Sequence, residues 1–252
     1  MVVKKEKAIR GRIYPKIYDP TYLLTHSNIQ VFKYLLNILP KDKTLNVLDL
    51  GCGYKPFKYL LEEHGIVANY IGVDFSLENA EPDFIVDLNK ENLPFEDESF
   101  DLIIISEVLE HIYKPFHVLD EAIRVLKKGG LIYISTPFIL GNHEIPYDYF
   151  RYTDYFYQRY FEEKNLEILH IRKAGSILSA PFFIFSIFIG GLLKKSKIKF
   201  VLTVPSNIFA LLIDLILQKL SNKYVFVKEG KEYLYLGISL IAKKWIIMSL
   251  FL

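Results

Sequence analysis

Cysteine is nearly missing from this chain: Cys52 is the only one among 252 residues. That excludes an intrachain disulfide and a thiolate zinc cluster, and it fits a reducing compartment. A surplus of one charge is missing as well. With 31 basic and 29 acidic residues the net charge is +2, so the footprint of a nucleic-acid binder is absent and any basic surface has to be local. The amino end, Met1 to Arg12, is basic, but no apolar stretch follows it, and no secretory leader is expected. Internal repeats and low-complexity tracts are also lacking. What the chain has in excess is apolar character, 51% hydrophobic and 15% aromatic residues, more than a typical soluble domain carries. The length suits one core, and the apolar excess sits late in the chain.

Alternation of strand and helix signals organises the first two thirds. Leucine, valine and phenylalanine recur at helical spacing from Thr21 to Leu39, and Pro40 closes the run. Leu45 to Leu50 reads as a strand, Phe57 to His64 as a helix, and Tyr70 to Val73 and Phe84 to Asp87 as strands. The apolar run Leu102 to Ile105 is a further strand. A helix over Val118 to Leu126 follows, ended by Lys127-Lys128-Gly129-Gly130, before a strand at Leu131 to Ser135. Thr153 to Lys164 reads as a helix with Thr153 as its N-cap, Leu166 to Ile171 as a strand, and Tyr233 to Ala242 as a late strand. Continuous apolar strands separated by helices imply a sheet covered on both faces. The expected fold is therefore α/β, doubly wound and Rossmann-like: a mostly parallel seven-stranded sheet with an antiparallel edge strand and an apolar helical insertion before it.

Two strand ends carry the functional signal. Leu45-Asn46-Val47-Leu48-Asp49-Leu50 breaks into Gly51-Cys52-Gly53, where backbone approaches a ligand with no Cβ in the way, and the strand ending at Val73 is followed by Asp74, about twenty residues on, placed to accept from a ribose diol. A pyrophosphate would need a third small residue at the helix start, but Pro56 stands there, so NAD and an oxidoreductase are disfavoured.

At these residues the chain resembles the class I S-adenosylmethionine-dependent methyltransferases, in the broad small-molecule group with an Asp-x-Gly-Cys-Gly turn. The resemblance rests on Val47 to Gly53, Ile71-Gly72-Val73-Asp74, Asp87-Leu88, Leu93-Pro94-Phe95, Ser99-Phe100-Asp101, Ser106-Glu107-Val108-Leu109-Glu110-His111 and Leu126 to Gly130. It implies that Asp49 and the backbone of Gly51, Cys52 and Gly53 hold the methionine end of the cofactor, that Asp74 takes the ribose hydroxyls, that Asp87 accepts from the adenine amino group while the Leu88 amide donates to the ring, and that Ser106 lies beneath the sulfonium. One S-adenosyl-L-methionine per chain is the expected cofactor. A divalent metal is allowed rather than expected.

Methyl transfer from a sulfonium asks mainly for alignment, plus removal of a proton when the acceptor is a hydroxyl. Three readings of the residues beyond the fourth strand stay open. His111 or His143 is a general base assisted by Glu107; or Glu107, Glu110, His111 and His143 hold a divalent cation, resembling the small-RNA 3′-end and ubiquinone-type O-methyltransferases; or Glu110 and His111 simply begin a helix. Pro146 to Thr153, with four aromatics, Asp148 and Arg151, resembles a branch linked to cell-envelope glycans and lipid-linked intermediates; its rings suit a sugar and Arg151 an anionic group. The expected reaction is O-methylation of a small, glycan-type or lipid-linked acceptor. A non-catalytic binding module of the same fold is the alternative.

Residues 176–228 break the rhythm with two apolar segments, Ile177 to Leu193 and Phe200 to Leu217, joined by Lys194-Lys195-Ser196-Lys197-Ile198-Lys199. They read as helices that cover the sheet, pair two copies, or lie on a membrane with the lysines among anionic headgroups. A spanning hairpin would carry those lysines across, against the positive-inside bias. The organisation expected is 1–44 as a helical lead-in, 45–175 with 229–244 as the core, 176–228 as the insertion and 245–252 as an apolar tail. The expected location is cytoplasmic, peripheral at the inner face of the cell membrane.

Overall fold

A computed structural model describes residues 2–193, 198–221 and 235–245. Two helices lead in, α1 (Val2–Ile13) and α2 (Tyr22–Ile38). There follow β1 (Leu45–Leu50), α3 (Pro56–Glu63), β2 (Ala68–Asp74), β3 (Phe84–Ile85), β4 (Phe100–Ser106), a single 3₁₀ turn at Leu109–His111, α4 (Pro115–Val125), β5 (Leu126–Pro137), α5 (Asp154–Glu163) and β6 (Leu166–Ala174). Helices α6 (Ala180–Leu192) and α7 (Ile198–Ser221) precede β7 (Gly237–Lys244).

The strands form one seven-stranded sheet in the order β3-β2-β1-β4-β5-β7-β6, parallel from β3 to β5, with β7 antiparallel to both β5 and β6. The antiparallel strand thus sits one place in from the edge. Alternation along each strand assigns side chains to the two faces. Leu48, Leu50, Ile103, Ile105, Ile132 and Ile134 pack with α4 and α5 on one face, whereas Val47, Leu102, Ile104 and Tyr133 pack with α1, α2 and α3 on the other. Both faces being covered is why β4 carries an unbroken apolar run, Leu102 to Ile105, and why β1 places apolar side chains on both faces.

Several boundaries differ from the sequence expectation. The first is at Lys127 to Gly130, which lie inside β5 rather than ending a helix: Phe100 pairs with Leu126 but Leu102 with Leu131, and the extra residues bulge out with Gly129 at φ +78°. Strand β3 is only two residues long, and a turn closed by the Lys90 and Glu91 amides on the Asp87 carbonyl follows it. No α-helix begins after Ser106; Glu107 takes φ +54° and a single 3₁₀ turn follows. Tyr233 and the tail beyond Trp245 lie outside the described residues, as do Lys194 to Lys197. Thr153 does cap α5, accepting from the Phe156 amide.

The strand order reverses direction between β1 and β4, with β2 and β3 built outward on one side and β5 on the other. That switch point opens a crevice beyond the carboxyl ends of β1 and β4, where open α/β sheets hold ligands.

Candidate active site

The loop after β1 is held from below by backbone: the Gly51 and Cys52 amides both donate to the Val73 carbonyl, at 2.8 and 3.0 Å. Gly51 (φ +69°) passes so close to the next loop that a Cβ would lie 2.3 Å from Val108 Cγ2, whereas Gly53 (φ +50°) faces open space. The first glycine is required for packing and the second leaves a cradle that a side chain would fill. Asp49 is 2% exposed and accepts from the Tyr70 hydroxyl at 2.5 Å. Burial pushes its carboxyl up to about 7, against the opposing pull of that hydrogen bond. Cys52 is buried and its thiol is pushed up by burial, so it offers backbone rather than a nucleophile.

Asp74 stands at the end of β2 and accepts from the Gly53 amide and its neighbour Phe75, each at 2.9 Å. It ties the two strand ends together. Asp83, unforeseen from the sequence, supports the same corner by accepting from the Gly72 amide and from Lys55 Nζ, both at 2.7 Å. Asp87 does something more local than expected: it accepts from the Asn89 amide at 3.0 Å and pairs with Lys90 at 2.7 Å, which lowers its pKa. Leu88 is buried beside it, and Ser106 is buried with its hydroxyl 2.8 Å from that of Ser135.

The groups beyond β4 divide. Glu107, expected to assist a histidine base or to join Glu110, His111 and His143 at a cation, is turned by its positive φ toward α2, where Asn28 Nδ2 donates to it at 3.1 Å. Asn28 is fixed in turn, accepting from Ser239 at 2.6 Å through its side chain and from Tyr133 at 3.0 Å through its carbonyl. Nothing in the spacing of α2 marks Asn28. Glu110, His111 and His143 come together instead, each offering a ligand atom within 4.8 Å of the others. Glu110 is fully buried, and neither of its oxygens has a hydrogen-bond partner among the described residues. Burial, reinforced by the charge of Glu107, raises its pKa well above the usual carboxylate range.

Both imidazoles are oriented from behind. His111 Nδ1 lies 2.5 Å from the Tyr147 carbonyl, and His143 Nδ1 lies 3.2 Å from the Gly141 carbonyl and 3.3 Å from Asp148. In a neutral imidazole the nitrogen facing an acceptor carries the proton, and the Nε2 lone pair is then the one turned to Glu110 Oε1, at 3.7 Å from His111 and 3.9 Å from His143. Two lone pairs and a carboxylate converging on one point need a cation or protons between them, and an imidazole backed by a carbonyl or carboxylate is how metal ligands are oriented. The residues fit a divalent ion.

Arg151 does not reach outward: its guanidinium is engaged by Asp148 at 2.5 and 2.8 Å and by the Leu140 and Phe150 carbonyls. It braces the loop that carries His143. Beyond the His111 turn a cleft of about 600 Å³ is lined by Tyr113, Lys114, Phe116, Phe150 and Phe156.

Residues 48–134 match the family described as "Methyltransferase domain". The chain carries a class I S-adenosylmethionine-dependent methyltransferase domain. Among sequence relatives, an uncharacterized protein of Methanocaldococcus jannaschii, MJ1123, is 34% identical over 128 residues, covering 48% of this chain and 56% of that one, so the match spans about half of that relative. Demethylmenaquinone methyltransferase of Listeria monocytogenes is 29% identical over 192 residues, 66% of this chain and 79% of that one. Ubiquinone biosynthesis O-methyltransferase of Candida albicans is 31% identical over 111 residues, 38% and 33% of the two chains. The chain also superposes on the crystal structure of the [4+2]-cyclase SpnF with TM-score 0.59 at 15% identity, covering 97% of this chain and 93% of that one, a likeness of fold alone.

Proposed function

We propose that this protein O-methylates a small acceptor of glycan-type or lipid-linked character, with Glu110, His111 and His143 seating a divalent cation beside the glycine cradle. The observation that carries the reading is the buried, unpartnered Glu110 carboxylate facing two imidazole lone pairs. S-adenosylmethionine supplies a methyl group already activated on sulfur, and the cation supplies positive charge that eases ionisation of an acceptor hydroxyl. The chain's own part is to bind and align. Asp49 takes the cofactor's ammonium, Gly53 lets its backbone approach, Asp74 takes the ribose, and Ser106 lies at the strand end below the sulfur. Asp87 and Leu88 remain the expected seat of the adenine. Glu107, anchored by Asn28, adds negative charge behind Glu110 and deepens the cation site.

The aromatic rings of the adjoining cleft support a flat or sugar-like acceptor, which stacks on such faces. Two relatives are named for quinone substrates, and a ring bearing neighbouring oxygens suits the same cation. Titration of the purified protein with S-adenosylhomocysteine, with and without Mn²⁺, tests the cofactor and cation seats together. Cofactor binding with no metal binding would assign His111 or His143 as a general base instead. Absence of cofactor binding at millimolar concentration would overturn the enzyme reading. The acceptor class follows from mass spectrometry of glycans and lipids in a deletion strain, as a species lacking one methyl.

A further inference from the structure

Helices α6 and α7 are inside out for a protein in water. The polar residues along their middle face the domain. Asn207 is fully buried and donates to the Ile17 and Asp19 carbonyls at 2.7 and 3.1 Å, and buried Ser186 donates to Asn207 at 3.0 Å. Ser206 donates to the Phe182 carbonyl at 2.9 Å, and Ser176 to Asp214 at 2.6 Å. Large apolar residues turn outward: Ile184, Phe188 and Leu192 on one face of α6, and Val201, Phe209 and Ile216 on one face of α7, with Phe188 62% and Val201 69% exposed. A contiguous apolar face presented by two packed helices marks a surface that something else covers.

Charge selects the occupant. Residues 176–221 hold five lysines, Lys194, Lys195, Lys197, Lys199 and Lys219, against one acid, Asp214, whereas the remainder of the chain holds 26 basic and 28 acidic residues. A second copy would set one segment of net positive charge against another. An anionic lipid surface suits both features at once, acyl chains against the apolar stripe and headgroups against the segment's net positive charge. Although α7 has the length and hydropathy of a span over Ile198–Leu220, its inward side is hydrogen-bonded to the loop before α2, so it is held against the domain. We propose that the outer face of α6 and α7 docks the protein on an anionic bilayer, lying in the interface without crossing it. This does not depend on the acceptor or on the cation.

The test is flotation of the full chain with phosphatidylcholine vesicles, with and without phosphatidylglycerol. Binding to the anionic vesicles is expected to exceed that to neutral ones by at least about tenfold, and to fall with salt. The doubly substituted F188E/V201E protein should stay at the bottom of the gradient while binding S-adenosylhomocysteine as the parent does, which separates lost docking from lost folding. Three results would overturn the proposal: a parent that ignores anionic vesicles and scatters light as a dimer, an F188E/V201E protein that still floats, or a parent in native membranes that resists carbonate extraction as a spanning protein does.

Discussion

At the scale of single residues, the site is a collection of carboxyl groups kept out of water. Asp49 holds its proton to about pH 7 in the folded protein, against 3.8 for the ordinary group. Between those values the folded state binds more protons than the unfolded chain, so rising pH favours unfolding, by up to about 4 kcal/mol for this one group. Glu107 and Glu110 act in the same direction. The melting temperature of the ligand-free protein should therefore fall as pH goes from 5 to 8, and Asp49→Asn should flatten part of that slope while keeping an acceptor for Tyr70. A cofactor ammonium beside Asp49 reverses the preference. S-adenosylhomocysteine affinity should then rise with pH through about 7 with proton release, seen as a buffer-dependent heat in calorimetry. A D49N protein that keeps both effects would place the ammonium elsewhere. Glu110→Gln is the companion: it should stabilise the ligand-free protein at neutral pH by about 1–3 kcal/mol, because the buried carboxyl otherwise has to keep a proton that the unfolded chain has released, and abolish Mn²⁺ binding followed by electron paramagnetic resonance.

At the scale of elements, the two glycines of the first loop make opposite demands. Gly51→Ala puts a methyl onto Val108 at a positive φ and should cost roughly 2–4 kcal/mol in urea unfolding, with part recovered by adding Val108→Ala. Gly53→Ala meets no neighbour, so only backbone strain of about 1 kcal/mol is expected, and the measurable loss should be in cofactor affinity. Such strand ends were legible because apolar runs, a terminal acid and glycine are local signals. The Glu107 turn was not, since an acid with positive φ is held there by the Glu107 amide on the Ser135 carbonyl and by Asn28, contacts remote in sequence. Asp83 and Asn28 were missed for the same reason. Arg151 looked available because its spacing to Asp148 is also that of two surface residues. The insertion's helices were legible, but their reversed polarity depends on which carbonyls lie beneath Asn207.

At the scale of the whole molecule, α1 closes the structure over the sheet's ligand edge. Ile9 and Ile13 enter the core shared with α2 and α3, Lys5 pairs with Glu81 at 2.5 Å, and Tyr14 donates to Glu63. The Glu81 amide in turn donates to the Gly53 carbonyl at 2.8 Å, so the cradle and the lead-in helix are mechanically joined. Between them, the charge of Arg12 lowers the pKa of Asp49, Glu107 and Glu110 from a distance. A cofactor bearing an ammonium, and a cation at Glu110, would each relieve repulsion that Arg12 relieves only in part. Ligands that bind the folded state alone stabilise by mass action, about 2.7 kcal/mol at a hundredfold excess over Kd, which for a chain of this size is roughly a 5–10 °C rise in melting temperature. S-adenosylhomocysteine should produce that rise. Arg12→Gln should move the pH at which Asp49 releases its proton upward, so that at pH 7 the mutant binds the cofactor more weakly than the parent and at pH 9 the two converge. A mutant equally weakened at both pH values would show that α1 acts by covering the cradle rather than through the charge of Arg12.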